Sequence, residues 1–285
     1  MTDPVLVCGA SGQIGSLLRA ALDDAGVPWI GLSRRSPPAG AGAQWRAGDF
    51  ERPSSLGPAL DGVGTVFLAS SDHPRQDQLE IAMIDACRSR GVKRVVKLSA
   101  QSAGHDPPVS FGVLHARVEQ ALRASGMAWT LLRPVFFMQS LLFFASSIRG
   151  GKLIAPTGQG AVAFVDGRDV AAVAAAVLAH PAGHEGRVHT LTGPRALGFP
   201  ALAELLSKAT ARRVRHISPP RWLARAVLPF VSGMPRWQSN MVVDLMSSIA
   251  AGAQSVPTNT IAEITRSEPR TIERFIDEHR ATFSA

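Results

Sequence analysis

Apolar positions along the chain follow two alternating rhythms. Short runs rich in branched residues, beginning with Val5-Leu6-Val7, give way to stretches where apolar residues return at helical spacing, beginning with leucines at 17, 18 and 22. The first rhythm predicts buried strands and the second amphipathic helices. Strands are expected at Val5, at 27–32, within 44–50, and at 65–69, 95–98 and 129–132. Helices are expected over 16–25, 53–60, 76–90 and 113–124. Regular strand–helix alternation implies an α/β fold, a doubly wound parallel sheet with helices on both faces. Beyond Gly150 the alternation weakens. A helix to 178, a strand at 187–191, a helix over 199–210, a short strand at 214–217 and a closing helix over 271–279 remain legible. Residues 219–252 are apolar, with Met or Trp at 222, 234, 237 and 241, and read as a helical lid over a pocket or as plain core.

The first strand runs straight into Gly9-Ala10-Ser11-Gly12-Gln13-Ile14-Gly15. Glycines three apart, where a strand becomes a helix, let the chain turn sharply, bring backbone close to a phosphate and pack the helix tightly on the sheet. The free N–H groups and positive dipole end of that helix suit a pyrophosphate. The next strand closes a β-α-β unit of about 30 residues, the size of a mononucleotide-binding half. After it stand Ser33-Arg34-Arg35, where an NAD site usually carries Asp or Glu for the ribose hydroxyls. Two guanidiniums suit a 2′-phosphate, so NADP (as NADPH) is favoured over NAD. Asp49 can accept from the adenine amino group with Phe50 flanking the base, or cap the following helix. Ligands on such sheets lie beyond the carboxyl ends of the strands, so the loops at 9–15, 33–35, 69–71, 99–102 and 134–137 face one crevice.

Composition narrows the picture. The 285 residues, 46% hydrophobic, suffice for one large core or a core with a smaller lobe. No run reaches the ~18 apolar residues of a membrane helix, so no membrane partner is expected. No leader pattern is visible, and two cysteines, Cys8 and Cys87, read as buried small hydrophobes in a reducing, cytoplasmic setting. Metal ligation is not expected. The net charge of +8 raises nucleic acid as a partner, but the basic residues stand in ones and twos without interleaved aromatics, so none is expected. A homodimer is left open. The chain contains no tyrosine.

With these features assembled, the chain resembles an atypical short-chain dehydrogenase/reductase of the NmrA-like group. The landmarks are the three glycines, Arg34, Gly48-Asp49, Leu98-Ser99-Ala100, His115 with Glu119, Leu132-Arg133-Pro134 with Phe137-Met138, Asp166 with Asp169-Val170-Ala171, and Leu191-Thr192-Gly193-Pro194. They span essentially the whole chain. The resemblance implies an NADP-binding Rossmann domain over 1–155 and a smaller, interwoven substrate-binding α/β lobe over 156–285, with the strand near 187–191 returning to the first domain. The crevice loops and the resemblance together mark Gly9, Ser11, Gly12, Gln13, Ile14, Gly15, Arg34, Arg35, Asp49, Phe50, Ala69, Ser70, Ser99, Pro134 and Phe136 as cofactor contacts.

Ordinary short-chain dehydrogenases use Tyr-x-x-x-Lys, and in this register the pair is Phe111-x-x-x-His115. The remaining candidates for catalysis are His115 and Ser99. His115 and Glu119 fall on one helical face, where a carboxylate would raise the imidazole's pKa and make it a proton donor; the alternative is a structural hydrogen bond. The expected activity is hydride transfer from NADPH to a planar apolar acceptor, such as a quinone or a polycyclic aromatic intermediate. Phe136, Phe137, Met138, Phe143 and Phe144 are expected as its apolar wall. The alternatives are a non-catalytic NADP-sensing protein, or a redox-neutral cyclase or epimerase on the same scaffold.

Overall fold

A computed structural model describes residues 3–34, 44–105 and 110–284. The chain opens with β1 (Val5–Val7), α1 (Gln13–Asp24), β2 (Trp29–Ser33) and β3 (Trp45–Ala47). α2 (Leu56–Ala59), β4 (Thr65–Leu68), α3 (Gln76–Ser89), β5 (Arg94–Leu98), α4 (Ser110–Ala124) and β6 (Ala128–Pro134) follow. Next come α5 (Ala145–Arg149), β7 (Lys152–Ile154), β8 (Ala161–Val162), α6 (Gly167–Ala179) and β9 (Arg187–Leu191). The last elements are β10 (Leu197–Gly198), α7 (Phe199–Thr210), β11 (Arg215–Ile217), α8 (Arg221–Ser232), α9 (Arg236–Ala250), α10 (Thr260–Thr265), α11 (Ile272–Glu278) and α12 (Arg280–Ser284).

Seven strands form one sheet in the order β3-β2-β1-β4-β5-β6-β9, and every neighbouring pair is parallel. The order reverses between β1 and β4, the switch point at which a dinucleotide crevice opens in doubly wound sheets. Successive residues of a strand point to opposite faces, and β1 shows the consequence. Val5 and Val7 join a core with Leu18 and Leu22 of α1 and Val170 and Val173 of α6. Leu6 and Cys8 join the opposite core with Met83, Ile84 and Cys87 of α3 and Val118 and Leu122 of α4. Both faces are covered, as a parallel sheet requires, and each fully buried aliphatic side chain contributes about 1.5–3 kcal/mol.

A third core lies apart from the sheet, built from Phe136, Met138, Phe164, Phe199, Met246 and Phe275 among others. It therefore begins right after β6. Residues after 156 also return to the main sheet: β9 pairs with β6 from Thr130↔Arg187 to Pro134↔Leu191, and α6 packs beside α1. Two small ladders, antiparallel β10–β8 and parallel β11–β7, complete the second lobe.

Several sequence expectations change in detail. α1 begins at Gln13 rather than 16, so Gly15 lies inside the helix. Asp166 caps α6, its Oδ1 accepting from the Arg168 N–H at 2.8 Å. Asp169 instead accepts from the Arg270 N–H at 2.7 Å and from its guanidinium, tying α6 to the C-terminal segment. The segment at 138–144 winds as a 3-10 helix and 219–252 resolves into α8 and α9. Both cysteines are buried free thiols; burial raises Cys8 well above the usual range and pushes Cys87 up to about 12, so neither is nucleophilic near neutral pH.

Candidate functional site

The three glycines have separate jobs. Gly9 turns the chain at φ +68°, and a Cβ there would lie 3.1 Å from the Ala69 carbonyl oxygen, so it also lets β1 and β4 loops close together. Gly15 is set by packing: a Cβ would stand 2.1 Å from the Gly9 carbonyl oxygen. Gly12 is the N-cap of α1, in extended conformation, and no side chain caps the helix. Ser11, Gly12 and Gln13 are exposed and Ile14 is partly so. An uncapped, solvent-facing N-terminus on a twelve-residue helix fits a pyrophosphate. Arg19, which the sequence reading passed over, braces the turn from behind. Its Nε donates to the Ala10 carbonyl at 2.9 Å while its guanidinium lies 5.2 Å from the rings of both Trp29 and Trp45.

The strand ends beside this turn carry a repeated arrangement. At the end of β4, Ser70 Oγ donates to Glu80 Oε1 of α3 at 2.7 Å, and Lys97 Nζ of β5 lies 2.9 Å from Glu80 Oε2. At the end of β5, Ser99 Oγ donates to Glu119 Oε1 of α4 at 2.6 Å. Arg133 of β6 grips the same carboxylate, its Nε 2.9 Å from Oε1 and its Nη2 2.5 Å from Oε2. In each case a strand-end serine gives its proton to a carboxylate on the next helix, and a cation on the next strand neutralises that carboxylate. Glu80 and Lys97 are fully buried, and Glu119 nearly so. Burial works to raise the Glu119 carboxyl, but hydrogen bonds from Arg133 and Ser99 and the charges of Arg133 and Arg123 outweigh it and hold it below the usual carboxylate range. With their protons directed inward, Ser70 and Ser99 present only lone pairs to the crevice. They suit a ribose hydroxyl or a carboxamide N–H, and they do not suit a proton donor's part.

His115 is 95% removed from solvent, and its Nδ1 finds no hydrogen-bond partner among the described residues. The expected pairing with Glu119 does not form, because Arg133, Arg123 and Ser99 occupy that carboxylate. The pKa therefore moves opposite to expectation: burial, and then the positive charge of Lys97, press the imidazole well below its ordinary value. Phe111 stacks edge-on against it, ring centroids 4.8 Å apart. His115 is a neutral ring at neutral pH. Sequence spacing placed His115 and Glu119 on one helix face, but it could not reveal the competing cation arriving from β6.

Arg34 is exposed at the end of β2, while Arg35 lies outside the described residues. Asp49 shapes its own turn, Oδ1 accepting from the Glu51 N–H at 3.1 Å and Oδ2 from Arg52 Nε at 3.2 Å. The N-cap of the short helix at Pro53–Ser55 is Arg52, so Asp49 is not that cap. Phe50 leans on the core below α2 and α3.

Pro134 is buried at the end of β6. The Phe136 ring packs edge-to-face on Phe164, with centroids 5.9 Å apart, and its N–H donates to Gln254 Oε1 at 2.8 Å. Met138 is fully buried in the third core and Phe143 is 81% exposed. The expected apolar wall of five residues is therefore not one surface, because the 3-10 winding of 138–144 turns its side chains in several directions. Gln139 bridges instead, its Nε2 donating to Asp166 Oδ1 at 2.9 Å and its Oε1 accepting from the Gly167 N–H at 3.0 Å, beside Ile14. α9 lies across α4, and Gln101 Nε2 reaches the Ala253 carbonyl at 2.9 Å, closing the second lobe over the β5 end.

Comparison with known proteins gives the family and the fold. A model of the NAD(P)H-binding family matches residues 9–181. The chain is 35% identical to an NAD(P)H azoreductase of Xenophilus azovorans, with 99% of each chain covered. Its fold superposes on an NADPH-dependent quinone oxidoreductase of Escherichia coli complexed with NADPH at a TM-score of 0.87, with 27% identity over 96% of this chain and 99% of that one. A triphenylmethane reductase of Citrobacter sp. complexed with NADP(H) shares the fold at a TM-score of 0.85 and 23% identity, with 96% and 99% covered.

Proposed function

The chain belongs to the NAD(P)H-binding family, and on that premise we propose that it is an NADPH-dependent reductase of planar, apolar, conjugated acceptors such as quinones or polycyclic aromatic intermediates. The chain is an NAD(P)H-dependent oxidoreductase. The observation that supports this reading is that neither Ser99 nor His115 is placed as a proton donor among the described residues. The sequence contains no tyrosine, the Ser99 proton is held by Glu119, and burial keeps His115 neutral. A reduced quinone oxygen is weakly basic and takes its proton from water, whereas the alkoxide formed from an aliphatic ketone needs a positioned acid. Azo and quinone groups, named for the two relatives above, are both conjugated acceptors.

Bound NADPH supplies the hydride. The chain's residues bind and orient. The N–H groups at Gly12 to Ile14 receive the pyrophosphate, and the exposed Arg34 receives the 2′-phosphate. Ser70 and Ser99 accept from the ribose and nicotinamide side. Residues 1–135 hold the cofactor in this reading, and the lobe that begins at Phe136, earlier than the expected boundary at 155, covers the acceptor, except where β9 and α6 rejoin the sheet. Positioning of the two reactants, rather than acid catalysis, provides most of the acceleration.

The test follows NADPH absorbance with quinones, azo dyes, aryl ketones and aliphatic ketones. Turnover is expected with the conjugated acceptors and not with aliphatic ketones. Efficient reduction of an aliphatic ketone would overturn the reading, and tight NADPH binding without oxidation by any acceptor would support an NADP sensor instead.

A further inference from the structure

The positive charge of this chain is concentrated in one segment. Residues 205–243 hold seven Lys or Arg and no Asp or Glu, so +7 of the net +8 lies there, and the other 23 cations face 22 carboxylates. Reading basic residues in ones and twos along the whole chain hides this, because the signal is a missing carboxylate rather than a basic run. The same segment contains α8, whose outward face is apolar. Trp222 is 71% exposed, Phe230 84% and Val231 72%, and Leu223 and Val227 share that face at helical spacing. Two aromatic rings alone carry about 300 Å² of exposed apolar surface, at the size where such patches mark a binding surface.

α8 is attached through the side opposite this face. Its opposite side, with Ala224 buried, rests on α9, and Arg221 and Arg225 both bind Asp244 of α9. Just before α8, Arg212 and Arg213 are exposed. β7 and β11 set Lys152 beside Arg215 and Ile154 beside Ile217, all four exposed. Arg215, His216 and Ser218 also line an open depression of about 500 Å³. Exposed Arg212, Arg213 and Arg215, with Lys152 beside Arg215, therefore lie in the segment that leads into α8.

We propose that α8 and the arginine-rich segment leading into it form a docking surface for an anionic lipid bilayer, with α8 lying in the plane of the interface. Charge complementarity selects this occupant. A second copy would bring two positive faces together, with Asp244 already taken by Arg221 and Arg225, whereas anionic headgroups satisfy Arg212, Arg213 and Arg215 while acyl chains cover Trp222 and Phe230. This departs from the expectation of no membrane partner, which rested on the lack of a spanning run. Among the described residues no helix is long and apolar enough to cross a membrane, and docking in the interface needs none.

The test is co-sedimentation of the full chain, loaded with NADPH, with vesicles of phosphatidylcholine alone or with about one-third phosphatidylglycerol. Binding is expected only to the anionic vesicles, falling about tenfold between about 0.1 M and about 0.5 M salt. The double variant W222S/F230S, on an exposed face, is expected to keep its thermal midpoint and NADPH affinity yet lose binding about tenfold or more. The variant R212E/R213E is expected to lose the dependence on anionic lipid. Equal binding to both vesicles, no binding to either, or full binding by W222S/F230S would overturn the proposal. Sedimentation equilibrium separates the other occupant: a dimer that W222S/F230S dissociates, without vesicle binding, would make this face a contact between two copies.

Discussion

Ser99 Oγ donates its proton to Glu119 Oε1 across 2.6 Å. That contact decides what the β5 end can do, because a hydroxyl already donating to a carboxylate held ionised by Arg133 cannot donate to substrate as well. Removing the hydroxyl in S99A is expected to lower turnover less than tenfold, against the 10²–10⁴-fold loss typical of a removed general acid. Stability should fall by about 1.5–3 kcal/mol for the charged hydrogen bond. Steady-state kinetics and urea unfolding check the two halves.

Glu119 itself is expected to matter more for the fold. Replacing it in E119Q leaves Arg133, only 18% exposed, without its counter-charge, and the loss should be about 3 kcal/mol. The buried Lys97–Glu80 pair gives a sharper contrast. K97M alone should cost about 3–5 kcal/mol, and the double variant K97M/E80L should recover much of it, because two apolar side chains leave no unpaired charge. Urea denaturation of all four proteins measures both effects.

The two inner glycines should respond differently. A methyl group at Gly15 would meet the Gly9 carbonyl at 2.1 Å, backbone that cannot move aside, so G15A is expected to destabilise by several kcal/mol or prevent folding. At Gly12 the same atom lies 3.1 Å away, so G12A is expected to fold and to bind NADPH about tenfold more weakly. Thermal unfolding and fluorescence titration separate the two.

His115 carries a pH signature. Its folded pKa is pressed below the ordinary 6.5, as are those of His184 and His189. Below about pH 6.5 the unfolded chain takes up protons that the folded chain refuses, so stability is present above that value and drains away as pH falls toward the folded pKa. The thermal midpoint should drop between about pH 7.5 and about pH 5, and H115Q should reduce the drop. Turnover should show no ionisation of His115 between about pH 6 and 8.

Arg34 tests cofactor choice. R34A is expected to weaken NADPH binding about tenfold and to leave NADH binding within about twofold, since only the 2′-phosphate differs. Equal losses for the two cofactors would remove its assigned role.

Much of this protein is legible without coordinates. Short apolar runs alternating with helical rhythms announce the parallel α/β order, and Gly9, Gly12 and Gly15 announce a tight strand-to-helix turn, because local sterics allow little else at those positions. What only the tertiary structure decided is which charges meet. Glu119 stands four residues from His115 on α4, yet Arg133, fourteen residues away, takes it, because β5 and β6 run side by side beneath that helix. The same holds at the surface: the apolar residues of α8 read equally as core or lid until the ion pairs to Asp244 turn their face outward. Local rhythm follows from chain geometry within a few residues, whereas pairing of charges and exposure of faces depend on elements that approach from far along the chain.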